Sequence, residues 1–93
     1  MEQLKVWWKP QIPCDSFEVP VANLEEAKIL LRTLAAYDIW QFEHRIKPDF
    51  ANAGGLVRWE EADGYNDAGW YDWYDDEGHD IDDLLRAERS IAP

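Results

Sequence analysis

The sequence predicts an α+β fold, a small twisted antiparallel sheet of about four to five strands packed by one main helix and followed by a short C-terminal helix. Two patterns favour this class. Apolar and polar residues alternate near the N-terminus, whereas residues 24–36 repeat apolar side chains at helical spacing. Because only one connection is long enough to cross over a sheet, antiparallel pairing is expected. At 93 residues the chain is expected to be a single domain, residues 1–93.

Two strands are predicted before the main helix. Residues 4–9 alternate in the period-two pattern of a half-buried strand, which Pro10 ends. Residues 17–21 follow with a second strand, and Pro20 favours an edge position because proline has no N–H to donate to a neighbouring strand.

The main helix is predicted over residues 24–36. Asn23 is in position to cap it, with Glu26 three residues further on as in a capping box. Ala27, Leu31 and Leu34 then form one apolar face.

Residues 37–47 allow two interpretations. Their apolar and aromatic side chains could extend the helix, but the aromatic content favours a short strand around residues 38–44. Lys47-Pro48-Asp49 and residues 52–55 carry loop and turn signals. With the short strand included, the predicted order of elements is β-β-α-β-β-β-α.

The C-terminal half is predicted as a hairpin followed by a helix. Residues 56–60 and 69–75 have the composition of strands, residues 61–69 suit their connection, and residues 76–78 form a turn. Asp80 can cap the last helix, with aspartates in its first turn and arginines near its end, where the helix dipole favours them. The residues assigned to this helix are Ile81, Leu84 and Leu85 inward, Asp82 and Asp83 in the first turn, and Arg86 and Arg89 near the end.

Composition predicts a soluble protein of the host-cell cytoplasm. Cys14 is the single cysteine, which is typical of a reducing compartment and excludes an intramolecular disulfide. The N-terminus lacks the pattern of a signal peptide, and no stretch approaches the roughly 18 apolar residues of a membrane span, so no membrane association is expected.

The net charge of −11 is concentrated in the C-terminal third. Residues 1–59 hold eight acids and seven bases, whereas residues 60–93 hold twelve acids and two bases. Direct nucleic acid binding is excluded, because phosphate contacts require a positive surface. The acids alternate with aromatic rings, so this segment is expected to fold and to attract basic protein surfaces.

Enzymatic chemistry, metals and cofactors are not expected. Cys14 lies beside Asp15 and Glu18 in a strongly acidic chain, and no glycine-rich nucleophile turn surrounds it, so pairing with His44 or His79 does not predict a nucleophile. No glycine of the acidic stretch fits the calcium-loop pattern, and one cysteine with two distant histidines is too few for a structural zinc site. Carboxylate pairs have no specificity among twenty acids.

Several segments resemble small phage- and prophage-encoded proteins labelled superinfection exclusion proteins. The resemblance covers residues 4 to about 60 and returns near residues 73–84. It implies a mobile-element setting, in which small acidic proteins block a host or competitor protein, and it brings no catalytic residues. The segments that carry it are Val6-Trp7-Trp8-Lys9-Pro10-Gln11-Ile12-Pro13, Ser16-Phe17-Glu18-Val19, Tyr37-Asp38, Gln41-Phe42-Glu43, Ile46-Lys47-Pro48-Asp49 and Asn52-Ala53-Gly54-Gly55-Leu56.

These observations lead to one main functional hypothesis and two alternatives. The main hypothesis is a non-enzymatic inhibitor whose carboxylates mimic phosphates and bind the basic surface of a host protein that handles nucleic acid, such as a CRISPR effector or a restriction enzyme. The first alternative is a small-molecule or carbohydrate-binding module that uses the C-terminal rings. The second is a scaffold or oligomerisation protein of a phage particle. The chain is expected to be a monomer, or a weak dimer through its N-terminal half. The predicted partner-binding residues are Asp72, Asp75, Asp76, Glu77, Asp80 and Asp83 for charge, with Tyr71 and Trp73 as anchors.

Overall fold

The computed structural model describes residues 3–10, 14–46 and 52–91, with the side chains of 89–91 excepted. In this part of the chain the elements are β1 (Leu4–Lys9), β2 (Phe17–Val21), α1 (Leu24–Glu43), β3 (Ala53–Glu60), β4 (Gly69–Asp72) and α2 (Ile81–Ile91). The strands form one sheet in the order β2-β1-β3-β4, and each neighbouring pair is antiparallel. The predicted α+β class, with one main helix and a short C-terminal helix, is confirmed.

The core lies between one face of the sheet and the two helices. Leu4, Val6 and Trp8 of β1 point to this face, as the period-two pattern predicts, and Val6 is completely buried. They pack in one cluster with Leu56 of β3 and Ile81 of α2. Both helices therefore cover the same face, and no described element covers the other one.

The N-terminus of α1 is capped as predicted. The side chain of Asn23 accepts a hydrogen bond from the Glu26 backbone N–H at 2.9 Å. Glu26 reaches back to accept from the Ala22 N–H, also at 2.9 Å, one residue before the cap. Ala27 and Leu31 follow on the buried face of the helix.

The predicted strand over residues 38–44 is wrong, because α1 continues to Glu43. Helical spacing lets Trp40 stack on Tyr37 and on His44, with ring centroids 6.1 and 4.1 Å apart. It also turns Asp38, which is 2% exposed, towards a hydrogen bond from the Asn52 side-chain amide. These contacts override the preference of aromatic residues for strands.

The boundaries of the hairpin also differ from the prediction. β3 begins at Ala53, so the turn predicted over residues 52–55 is instead the start of a strand. β4 ends at Asp72 and not at residue 75, although the Trp73 N–H still donates to the Leu56 carbonyl at 3.0 Å. The predicted loop at Lys47-Pro48-Asp49 lies outside the described residues.

Gly54 and Gly55 belong in β3 because tryptophan rings occupy the space of their missing side chains. A Cβ on Gly54 would lie 2.8 Å from Cζ3 of Trp8 and 3.2 Å from Cδ2 of Leu31. A Cβ on Gly55 would lie 2.7 Å from Nε1 of Trp7. These glycines therefore allow close packing on both faces of the sheet.

Replacing Gly54 with alanine is expected to destabilise the fold by about 1–3 kcal/mol, because the added methyl group overpacks the core against Trp8. Urea denaturation measures the change. Gly64→Ala is the matched control, since nothing lies within 4 Å of a Cβ at Gly64. Equal midpoints for the two variants would contradict the packing described here.

Candidate partner-binding surfaces

The acidic segment, residues 72–83, runs from the end of β4 through a turn into α2. Asp72 is paired with Val57 and therefore lies on the sheet face without helices. Ile81 is 2% exposed and fixes the start of α2 in the core. The segment is thus held on the fold by apolar packing, and its acids are presented from an ordered backbone.

Three of the predicted partner-binding acids cap local structure. Asp75 accepts the backbone N–H groups of Glu77 and His79 at 2.9 and 2.8 Å. The hydrogen bond from His79, followed by that from Glu77, holds the pKa of Asp75 below its usual range. Asp80 and Asp83 form a reciprocal cap, in which each side chain accepts from the other's backbone N–H at 2.9 and 3.3 Å.

Asp76 and Glu77 are placed differently. They lie exposed in the turn that ends at Gly78, whose φ is +84°. Neither side chain makes a hydrogen bond or an ion pair with any described residue. Their charges are therefore directed to solvent.

Ten of the twelve acids in residues 60–93 form two groups along the chain, and the other two are Glu60 in β3 and Glu88 in α2. The first group, Glu61, Asp63 and Asp67, lies in the hairpin connection that precedes β4. The second group is the acidic segment, which begins at the last residue of β4.

The two predicted anchor rings have different surroundings. Trp73 packs against the hydrophobic core and is half-buried. Tyr71 is partly exposed, and its hydroxyl donates to the Asp67 carbonyl at 2.7 Å. A partner can reach Tyr71 more easily than Trp73. That these eight residues bind a partner stays a prediction.

A groove of about 760 Å³ lies between α1 and α2, above the sheet. We call it the helix groove. Its apolar lining comes from Leu31, Ala35 and Ile39 of α1, from Ile81 and Leu85 of α2, and from Trp8 of β1. Its polar lining is Arg32, Asn52, Asp80 and Asp82.

Sequence reasoning missed most of this groove. Leu31, Ala35 and Ile39 follow one another at intervals of four residues, so they share one face of a continuous helix. The strand predicted over residues 38–44 interrupted the helix, so this shared face was not recognised.

The sheet face without helices is aromatic. Trp59 and Trp70 are directly paired on β3 and β4, and their rings pack edge to face with centroids 5.5 Å apart. The Lys5 ammonium lies 4.2 Å from the Trp70 ring centroid and 3.0 Å from the Glu18 carboxylate. Trp7 covers Gly55 on the same face. Much of this surface is therefore shielded by contacts among its own side chains.

Ion pairs join the two helices at one end of the groove. The Glu88 carboxylate on α2 lies 3.2 Å from the Lys28 ammonium and also forms an ion pair with Arg32. Both of these bases are on α1. The hydrogen bond from Lys28 and the charges of both bases lower the pKa of Glu88 from its ordinary value of 4.5.

Within the described residues, no three histidine, cysteine or acidic side chains are grouped as a metal site would require. No described helix is both long and apolar enough to cross a membrane.

Comparison with known proteins identifies the family. The profile of the superinfection exclusion gene product 17 family matches residues 3–90. A superinfection exclusion protein of Salmonella phage P22 is 39% identical over 79 residues, which cover 77% of each chain. The chain belongs to the superinfection exclusion gene product 17 family, and the resemblance noted from the sequence is confirmed. No solved structure matches the chain.

The family corrects the functional hypotheses drawn from the sequence. The predicted phosphate-mimicking inhibitor of a CRISPR effector or restriction enzyme is wrong, since the matched family and the phage P22 protein are superinfection exclusion proteins. The first alternative, a carbohydrate- or small-molecule-binding module, is wrong for the same reason. Both rested on the composition of the C-terminal third, which does not distinguish one acidic binding surface from another.

Glu88→Gln is expected to lower stability at neutral pH, because it removes the carboxylate that joins the helices. Since the pKa of Glu88 is lower in the folded chain than 4.5, its contribution is present above pH 4.5 and is lost as the pH falls through the folded-state pKa. Urea denaturation at a series of pH values should therefore show the variant approaching the parent chain in acid. Glu77→Gln is the control for removing one charge, and a Glu88→Gln difference that persists in acid would contradict the ion-pair explanation.

Proposed function

We propose that this chain acts in superinfection exclusion, the process by which a cell that carries one phage resists infection by another. The observation that carries the proposal is the match to the superinfection exclusion family over residues 3–90. The name of the phage P22 relative, which aligns over 77% of this chain, supports the same activity.

We further propose that the chain acts by binding a protein and catalyses no reaction. Support comes from exposed apolar side chains on two surfaces, Ile39 in the helix groove and Trp70 on the sheet face. Tryptophan is among the residues that contribute most of the binding energy in protein interfaces, and an exposed isoleucine adds apolar area that a partner can bury. The acids that cap the turn and α2 have structural roles.

The proposed partner is a protein with a basic surface. A net charge of −11, with Asp76 and Glu77 directed to solvent, attracts positive surfaces over long range and repels nucleic acid. Of the partner that the sequence predicts, we retain only its basic surface. We propose the host cytoplasm as the compartment, because a single cysteine suits a reducing environment.

The exclusion activity is tested by producing the chain in a Salmonella strain sensitive to phage P22 and challenging the cells with a panel of temperate phages. We expect at least one phage to form plaques with an efficiency at least tenfold lower than on cells with an empty vector. If every phage plates equally on both strains, the proposed function is wrong.

The role of charge is tested by combining Asp76→Lys with Glu77→Lys. We expect exclusion to be lost, because the substitution reverses charges that meet a basic partner while leaving the caps at Asp75, Asp80 and Asp83 intact. Asp15→Lys with Glu43→Lys is the control, since both positions are exposed, lie outside the acidic segment and give the same change in net charge. Equal exclusion by the two double variants would contradict the proposed role of the acidic segment.

A further inference from the structure

We infer that the helix groove binds an amphipathic, basic helix of the partner protein. The biological setting of this inference rests on the proposed function, whereas the binding itself can be tested without it. Apolar side chains of the bound helix would enter the groove, and basic side chains on its flank would face Asp80 and Asp82.

The shape of the groove suits a helix. Leu31, Ala35 and Ile39 form a row along α1, and Ile81 and Leu85 form a second row along α2. The two rows face the same groove of about 760 Å³. An amphipathic helix fills a groove of this kind with side chains at intervals of three and four residues.

Ion pairs between α1 and α2 fix the two helices relative to each other at one end of the groove. Glu88 pairs with Lys28 and Arg32, which fixes the later part of α2 against the first half of α1. Asp80 and Ile81, at the start of α2, line the same groove as Ile39 in the later part of α1. The two helices therefore run in opposite directions, and Ala35 and Ala36 leave room between them because their side chains are small.

The charges at the groove margin favour a basic occupant. Asp80 and Asp82 line the groove on the α2 side, and Asp82 lies 3.5 Å from Arg86, which also pairs with Asp83. Two aspartates, Asp82 and Asp83, thus share Arg86. Arg32, the base that lines the groove on the α1 side, is engaged by Glu88.

The aromatic sheet face lacks this charge preference. It combines Lys5 and Lys9 with Glu18 and Asp72, so its charges nearly cancel. Lys5 is already engaged by Glu18 and lies over Trp70. We therefore assign the basic helix to the helix groove and treat binding at the sheet face as an outcome that would refute the assignment.

The direct test uses the full chain and a synthetic 16-residue helical peptide with leucines on one face and lysines beside them. Backbone amide shifts measured by NMR are expected to change at Ala35, Ala36 and Leu85 as the peptide is added. A matched peptide with glutamate in place of each lysine is expected to bind at least tenfold more weakly, because it meets Asp80 and Asp82 with like charge.

Ala36→Arg tests the site itself. Ala36 lines the groove yet is exposed, so an arginine there obstructs the groove and repels the lysine peptide without burying a charge. We expect at least tenfold weaker peptide binding. Thr33→Arg is the control, because Thr33 is also exposed on α1 but does not line the groove.

Peptide-induced shifts centred on Trp59 and Trp70, or equal binding by the two arginine variants, would overturn the inference. So would a second copy of the chain found in the groove. In the phage assay, exclusion by the parent chain and by Ala36→Arg alike would refute the groove but leave the proposed function standing. Peptide binding in the groove without exclusion by the parent chain would refute the proposed function but support the groove.

Discussion

The burial of Ile81 is the interaction on which the arrangement of the C-terminal third depends. Its side chain packs in the same cluster as Trp8 and Leu56, at the point where the chain leaves the acidic turn and enters α2. Burying an isoleucine of this kind contributes roughly 1.5–3 kcal/mol. Acids on both sides of Ile81 repel one another, so this packing and the local caps are what keep the segment ordered.

The acids of the segment divide their roles between structure and charge. Asp75, Asp80 and Asp83 satisfy backbone N–H groups of the turn and of the first turn of α2. A carboxylate suits a helix N-terminus, because the helix dipole is positive there. Asp76 and Glu77, by contrast, are exposed in the turn. A dense run of acids is therefore compatible with an ordered fold because some of its charge is neutralised by the backbone that it caps.

The sequence was informative where local patterns decide structure. The alternation in β1, the edge position of Pro20 in β2 and the caps at Asn23 and Asp80 all follow from neighbouring residues, and all are present in the structure. The family could also be recognised from segments along the chain, and the match over residues 3–90 confirms it.

The incorrect structural predictions lie where contacts between residues distant in the sequence determine the structure. The helix continues through Tyr37 and Trp40 because Asp38 bonds to Asn52, fourteen residues further on. Gly54 and Gly55 form part of a strand and not a turn because the rings of Trp8 and Trp7 in β1 occupy the space that larger side chains would take there. The helix groove requires a long α1 and an early start of β3. Because both of these features were predicted incorrectly, the groove was not predicted either. The functional hypothesis failed for another reason, because charge alone does not specify a partner.

Hydrogen exchange of the native chain tests most directly whether the acidic segment is ordered on the core. The relevant amides are those of Trp73, His79 and Asp83, which donate to Leu56, Asp75 and Asp80. We expect them to exchange at least tenfold more slowly than in an unstructured peptide of the same sequence. Exchange at the peptide's rate, while the amides of β1 and β3 remain protected, would show that the C-terminal third is not held in this arrangement.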